Sequence, residues 1–429
     1  MPEKKKEKIA EKPSKKFKVP TREHVDEHIK KASLDATGKA TAKLFNELML
    51  FSHEYRASYV HLEPDREEGK IRLRIDGILH DYFTIPNELH TRLIALLKIK
   101  TRMRTDEHRA PQDGRDSFET QNGTVDVRAS IMPTGVGEKA VLRLLSSESH
   151  KLTLEQLGFE PKDYKIISKA ISRPWGMILT TGPTGSGKTT TIYAILEILN
   201  KRSVNISTIE DPVEFYIPGV NQSQVDSSAK LTFAKGLRSL VRQDPDIIMV
   251  GEIRDEETAE IAVNAALTGH KLLSTLHTNN AATTIPRLLD MGVEPFLLAS
   301  TLIVTVSQRL MRRVCDVCKK EKMFTRDEIA ESLDEQTLTL LFAGQKKIKI
   351  SDVSGCTACN STGYKGRVGI YEVLEVTEEI QKAIIKRSSS EEIERIAVSE
   401  GMTTLMENGV EKVIGGETTI EELVRVMHE

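Results

Sequence analysis

Residues 182–190 read GPTGSGKTT and satisfy G-x-x-x-x-G-K-[ST] in full. The apolar run GMILTTG leads in and the helical period TTIYAILEIL follows, the setting in which such a loop cradles phosphate. Gly182, Gly185 and Gly187 let backbone N–H groups turn inward, with Pro183, Thr184 and Ser186 between them. Lys188 supplies positive charge at the β and γ phosphates. The Thr189 hydroxyl can ligate magnesium, and the helix that continues through Thr190 adds its dipole. ATP with Mg2+ is the expected ligand.

Turnover needs acids near that loop, and the usual place raises a question. IIMVGEIRD is an apolar strand running into charge, yet Gly251 stands where an Asp commonly holds magnesium, with Glu252 behind it and Arg254 two residues on. Two further stretches have high polar density at strand ends. TIEDPVEF contains Glu210, Asp211 and Glu214; TGHKLLSTLHTNNAA contains His270 and His277, seven residues apart around a strand. Parallel strands present their C-terminal ends on one edge, where phosphates bind. The three clusters are therefore expected to converge on the nucleotide, the missing acid being replaced from a neighbouring strand.

The four cysteines form two pairs, Cys315-x2-Cys318 and Cys356-x2-Cys359, with 37 residues between them. Two such knuckles can offer four thiolates tetrahedrally to zinc. Gly355 and Gly363 suit tight knuckle turns. With no open position implied, a Zn2+ there is structural. A disulfide is disfavoured in a cytosolic protein, and a redox pair would not need a second C-x2-C.

These residues need a scaffold, and 429 residues are enough for two or three cored domains. Residues 1–18, rich in lysine, read as a disordered basic tail. Residues 19–150 read as an N-terminal α/β domain, in which PQDGR is turn chemistry and Asn122-Gly123 a hairpin signal. Residues 151–163 read as a linker. Residues 164–312 alternate apolar strands with helices, which indicates a parallel sheet covered on both faces. Residues 313–368 are a cysteine-bounded zinc subdomain, and 369–429 read as short helices, with Ser390/Glu391 and Thr418/Glu421 as start signals. The formal charge of −2 gives no argument for nucleic acid. No apolar run reaches the roughly 18 residues of a membrane span, so the cytoplasm is the expected compartment.

TIEDPVEF, GEIRD and GHKLLSTLHTNNA, in this order after the phosphate loop, resemble the Asp box, the atypical Walker B and the His box of the secretion ATPase superfamily. Within it, the chain resembles the type II secretion and type IV pilus assembly ATPases from about Lys43 to its end. The resemblance implies a PAS-like N-terminal domain and a RecA-like ATPase core. Glu252 would position magnesium through water or polarise the attacking water, and Glu210 or Glu214 would orient that water as general base. His270 and His277 would sense the γ phosphate or the adjacent subunit. RIDGILH, PQDGR and GEKAVLRLL resemble the domain whose arginines reach a neighbouring protomer's γ phosphate. Arg109, Arg115 and Arg128 are favoured over Arg72, Arg74, Arg102 and Arg104 for that task. GCTACNSTGYKGRVGIYEVL resembles the tetracysteine module of extension-type members.

The implied protein is a homo-hexameric, Mg-dependent motor at the inner face of the cytoplasmic membrane. It would drive pilin or pseudopilin polymerisation on an inner-membrane platform protein. Two features depart from the pattern. Tyr59 stands in ASYVH where relatives have Asp, and only the lysine tail stands where many relatives have a further docking domain. The alternatives are a nucleotide-gated scaffold with little turnover and a DNA-uptake pilus motor.

Overall fold

The computed structural model describes residues 20–35, 37–121, 123–146, 152–330 and 333–428. The lysine tail, Asn122 of the hairpin signal and residues 147–151 lie outside the described residues. The chain divides into two compact units, Met1–Ser149 and His150–Glu429.

The first unit contains α1 (Arg22–Leu34), α2 (Lys39–Glu54), β1 (Ala57–Glu63), β2 (Glu68–Ile75), β3 (Ile78–Pro86), α3 (Asn87–Lys100), β4 (Gln112–Thr120), β5 (Gly123–Thr134) and β6 (Gly137–Ser146). The strands form one antiparallel sheet in the order β3-β2-β1-β6-β5-β4. Alternation sets its two faces. Val60, Leu62, Val125, Val127, Ala129, Ile131 and Leu142 point inward, against Leu44, Leu48, Leu93 and Leu97 of the helices. PQDGR is not a turn: Gln112 to Arg115 lie in β4, and Arg115 pairs with Arg128 of β5. Asp and Gly disfavour strands locally, but the ladder to β5 supplies every second backbone group with a partner and overrides that preference. Gly114 itself is required there, since a Cβ would sit 2.6 Å from the Thr101 carbonyl oxygen.

The second unit begins with α4 (Leu154–Leu157) and α5 (Pro161–Ser172). The stretch 152–163 is thus helical rather than a plain linker. Thr153 and Gln156 close a capping box, and Leu154, Phe159 and Ile167 join the core beneath the sheet. There follow β7 (Gly176–Thr181), α6 (Lys188–Leu199), β8 (Ile206–Glu210), β9 (Asn221–Gln224), α7 (Phe233–Leu240), β10 (Ile247–Val250), α8 (Glu256–Leu267), β11 (Lys271–Leu276), α9 (Thr284–Asp290), α10 (Pro295–Thr301) and β12 (Leu302–Val314).

Next come β13 (Lys319–Thr325), α11 (Arg326–Ile329), α12 (Glu335–Phe342), β14 (Lys347–Val353) and β15 (Tyr364–Glu375), then α13 (Glu378–Ile385), α14 (Ser390–Ser399), α15 (Leu405–Ile414) and α16 (Ile420–His428). The main sheet runs β15-β12-β7-β11-β10-β8-β9, parallel except for β15 against β12. Every residue of β7, β8, β10 and β11 is buried, as expected of strands covered on both faces.

One boundary moves. Tyr364–Glu375, divided in the sequence reading between the zinc subdomain and the C-terminal helices, is one edge strand of the main sheet. An alternating run identifies a strand but not the sheet it joins. The C-terminal caps also shift by one residue: Ser389 accepts from Glu392 N, and Thr419 from Glu422 N, while Thr418 donates to the Arg312 carbonyl.

Candidate functional site

The phosphate loop joins β7 to α6, and its geometry depends on glycine. Gly182 (φ +140°) has no room for a side chain: a Cβ would come 2.5 Å from the Gln308 carbonyl oxygen and 2.7 Å from Ser186 Oγ. Gly187 (φ +92°) is the residue before the helix. Lys188, the first residue of α6, folds its buried ammonium back onto the carbonyls of Gly182 (2.8 Å) and Pro183 (3.0 Å). Burial lowers its pKa to about 8; Glu252 acts in the opposite direction and Arg309 adds to the lowering. Pro183, Thr184, Gly185, Ser186, Thr189 and Thr190 complete the loop and first turn. Ser186 Oγ is buried with no hydrogen-bond partner. A cradle that a Cβ would fill, an unmatched hydroxyl and a lysine held only by loop carbonyls fit a phosphate group.

Parallel register brings the other strand ends to the same edge. Thr181 lies opposite Leu276, and Val250 lies opposite both Ser274 and Ile209. Gly251 follows β10 and packs tightly: a Cβ would be 3.3 Å from Glu210 Cα and from the Phe233 ring. A side chain there would crowd both, and the β8 backbone or the Phe233 ring would have to give by a few tenths of an ångström. The Glu252 carboxylate is mostly buried, contacts Arg254 at 2.5 Å and His277 Nε2 at 3.4 Å, and keeps Oε2 without a hydrogen bond. Burial, then the Lys188 charge, lower the His277 pKa. Asp211 is close enough to Arg254 to raise that guanidinium's pKa, after the larger effect of Glu252. Thr181 Oγ1 bonds Thr278 Oγ1 (2.6 Å) and accepts from Thr278 N (2.9 Å), tying the residue after His277 to the start of the loop.

Two of the expected residues do not join this group. His270 precedes β11, and its carbonyl accepts from Gly176 N at the start of β7, so it stands at the opposite edge of the sheet. A strand of six residues spans about 20 Å, and histidines on either side of it cannot meet one phosphate. Glu210 ends β8 but turns into the core. It accepts from Thr208 Oγ1 (2.6 Å), Gln222 Nε2 (3.2 Å) and the Tyr193 hydroxyl, and burial raises its pKa. Glu214, half-buried on the following loop, lies beside that cluster; its N–H donates to the Tyr193 hydroxyl (3.4 Å).

Polar side chains absent from the sequence reading complete the loop's surroundings. Buried Gln308 of β12 donates to the Ser186 carbonyl (2.8 Å) and accepts from Thr191 Oγ1 (2.9 Å). Half-buried Arg309 is next to it. The signal was present: VSQRL places three polar residues in succession within a strand.

In the first unit, Arg115, Arg128 and Arg143 lie directly opposite one another on β4, β5 and β6, and the row continues through Tyr59 on β1 to Arg74 on β2. The Arg143 guanidinium is 5.9 Å from the Tyr59 ring centre. Arg109 sits in the loop before β4, its N–H donating to Glu107 Oε1 (2.7 Å). Arg72 and Arg104 pair locally with Glu63 and Asp106. Arg143 was missed because a lone Arg in a strand has no spacing signal; only register aligns it with the others.

The four cysteines cluster around one point. The Sγ–Sγ distances are 3.9 Å for Cys315–Cys356, 3.7 Å for Cys318–Cys359 and 3.7 Å for Cys356–Cys359. The N–H groups of Cys356 and Gly363 donate to Cys359 Sγ, each at 3.2 Å. Both knuckle glycines are forced: a Cβ on Gly355 or Gly363 would lie 2.5 Å from Ser361 O or 2.7 Å from Val353.

A glycine loop opening a helix at the C-terminal edge of a parallel sheet, with an acid and a histidine beside it, defines a nucleotide-binding α/β protein of the phosphate-loop class. The chain belongs to the type II/IV secretion system protein family, whose model matches residues 35–425. It is 45% identical over 408 residues to the type IV pilus assembly ATPase PilB of Myxococcus xanthus, covering 94% of this chain and 70% of that protein. It is 45% identical over 394 residues to the protein of that name from Thermus thermophilus, covering 91% of this chain but 43% of that one. Type II secretion system protein E of Aeromonas hydrophila is 43% identical over 397 residues, covering 92% and 77%. Among solved structures, the pilus retraction motor PilT with bound ADP superposes with a TM-score of 0.60 at 28% identity, covering 88% of this chain and 95% of that one. The Legionella pneumophila ATPase DotB shares the fold, with a TM-score of 0.65 at 21% identity and coverage of 91% and 97%. No described helix is long and apolar enough to cross a membrane.

Proposed function

We propose that this chain is a Mg-dependent ATPase that works as a homo-hexameric motor. It would power assembly of a type IV pilus or type II secretion pseudopilus, acting on an inner-membrane platform protein from the cytoplasmic side. The observation that carries the reading is the group Lys188, Glu252, Arg254 and His277 on the edge that ends in the phosphate loop. ATP would lie with its phosphates against the loop N–H groups and Lys188, and Mg2+ against Thr189. Bound Mg2+ would supply positive charge at the phosphates. Glu252, whose Oε2 is unsatisfied, is the acid that orients water there; Glu214 is the Asp-box carboxylate assigned to assist, and Glu210 is a positioning residue.

The row Arg115–Arg128–Arg143 supports a role for the first unit in trans. Three guanidinium-bearing residues in one register row give that face a set of donors suited to phosphate oxygens. We assign those oxygens to a neighbouring protomer's γ phosphate, with Arg109 at the rim. The cysteine cluster fits structural zinc: tetrahedral Zn–S bonds of about 2.3 Å require sulfur–sulfur distances near 3.8 Å. The tetracysteine module and the pilus assembly relatives favour extension over retraction.

The test is steady-state phosphate release by the full chain, with and without magnesium. Release that requires magnesium supports the motor. Tight ATP binding without release would instead establish a nucleotide-gated scaffold.

A further inference from the structure

Arg309 stands at the phosphate loop of its own chain. β12 runs parallel to β7 with Ser307 opposite Thr181, so Gln308 and Arg309 pass the point where β7 turns into the loop. Arg309 Nη1 is 3.2 Å from where a Gly182 Cβ would lie, and its charge is felt by Lys188. Lys188 and Arg309 are two part-buried cations close enough to repel each other. Among the described residues Arg309 makes no ion pair. Its guanidinium is held by carbonyls alone, Gln308 O at 3.1 Å and Asn279 O at 2.7 Å.

Asn279 belongs to the loop after His277, and that loop is fastened to the C-terminal helices at two places. Asn280 Nδ2 donates to Glu394 of α14 (3.3 Å). Ala281 N donates to Glu372 (2.7 Å), and the other oxygen of Glu372 accepts from Leu405 N (3.3 Å), the first residue of α15. Glu372 is a fully buried carboxylate on β15, opposite Ser307, and it attracts Arg309 electrostatically. One short loop therefore touches the arginine at the phosphates, a carboxylate on α14 and the carboxylate that caps α15.

We propose that Arg309 reads, within its own chain, whether a third phosphate is present. A γ-phosphate oxygen draws the guanidinium away from the Asn279 carbonyl, and the freed 278–283 loop changes its hold on Glu394 and Glu372, and so on α14 and α15. The inference rests on the nucleotide reading above and assigns the sensor and its output. A planar fork suits the task because it can hold a phosphate oxygen and a carbonyl alternately in similar geometry.

The experiment measures binding of fluorescent ADP and of fluorescent adenylyl imidodiphosphate to the full chain, together with amide exchange across residues 400–410. Wild type should show slower or faster exchange at α15 with the triphosphate than with ADP. Arg309→Gln should keep ADP affinity within about twofold and lose on the order of tenfold in triphosphate affinity, the effect of one charge-assisted contact. Its α15 exchange should no longer distinguish the nucleotides. Arg309→Lys should recover part of the affinity and little of the exchange response. Glu372→Gln should keep the affinities and lose the exchange response. A wild type that binds neither nucleotide overturns the nucleotide reading and this inference together. Arg309→Gln with full discrimination, or with equal loss for both nucleotides, overturns the sensor alone. An unchanged α15 response in Glu372→Gln overturns the relay.

Discussion

Replacing Glu210 with alanine should damage stability before it damages chemistry. The carboxylate joins three elements: it accepts from Thr208 of β8, Gln222 of β9 and Tyr193 of α6. Gln222 retains a second acceptor, the Phe215 carbonyl at 3.0 Å. The hydroxyls of Thr208 and Tyr193 are both buried and would lose this acceptor. Each orphaned buried donor costs about 1–3 kcal/mol. Relief of a buried charge, whose desolvation already raises the Glu210 pKa, offsets part of the sum. The net expectation is a loss of about 2–4 kcal/mol.

The assay is urea unfolding followed by Trp175, the single tryptophan, which is 43% exposed just before β7. With a urea slope of about 3 kcal/mol/M, the midpoint should fall by about 1 M. Glu214→Gln should leave the midpoint in place and lower phosphate release on the order of tenfold, less than Glu252→Gln, as loss of an assisting carboxylate does. A Glu210→Ala chain with an unmoved midpoint and abolished turnover would refute the argument and make Glu210 the chemical acid.

Freshly purified protein should contain one zinc per chain by metal analysis. Cys356→Ser should lose it and expose residues 315–359 to protease, because metal binding there contributes on the order of 10 kcal/mol of folding energy; metal-free wild type would contradict this. Mixing Lys188→Ala chains with Arg115→Ala chains should restore some hydrolysis, since an interface in the mixed ring can pair an intact loop with an intact arginine row; normal turnover by Arg115→Ala alone would remove it from the site. Burial raises the Glu372 pKa to about 7, with Glu394 adding to the shift and Arg309 opposing it. Between about pH 4.3, where a free glutamate titrates, and pH 7 the folded chain holds a proton that the unfolded chain has released. Stability should therefore fall as pH rises through that window, and Glu372→Gln should flatten the fall. Urea midpoints at pH 5 and pH 8 measure it, and an equal slope in both proteins would count against a buried neutral Glu372.

The loop, the cysteine pairs and the succession of buried strands were legible because each is written in contiguous residues. What needed the structure was pairing. Register alone aligns Arg115 with Arg128 and Arg143, and it places Gln308 and Arg309 beside a loop more than a hundred residues earlier. PQDGR reads locally as a turn, whereas the β5 ladder makes Gln112 to Arg115 strand. That His270 stands away from the phosphate loop follows from spacing: histidines bracketing a strand lie at its opposite ends. Glu210 and Glu214 are alike in sequence, and only the inward turn of Glu210 toward Tyr193 separates their tasks.

The central claim is that Glu252 performs the task of the acid that Gly251 does not supply. Phosphate release and ATP binding by Glu252→Gln, measured beside wild type on the full chain, test it most directly. The variant keeps the shape and removes the charge. It should bind ATP with affinity close to wild type and release phosphate on the order of a hundredfold more slowly or less. Unchanged release would contradict the account and place the chemistry on another acid.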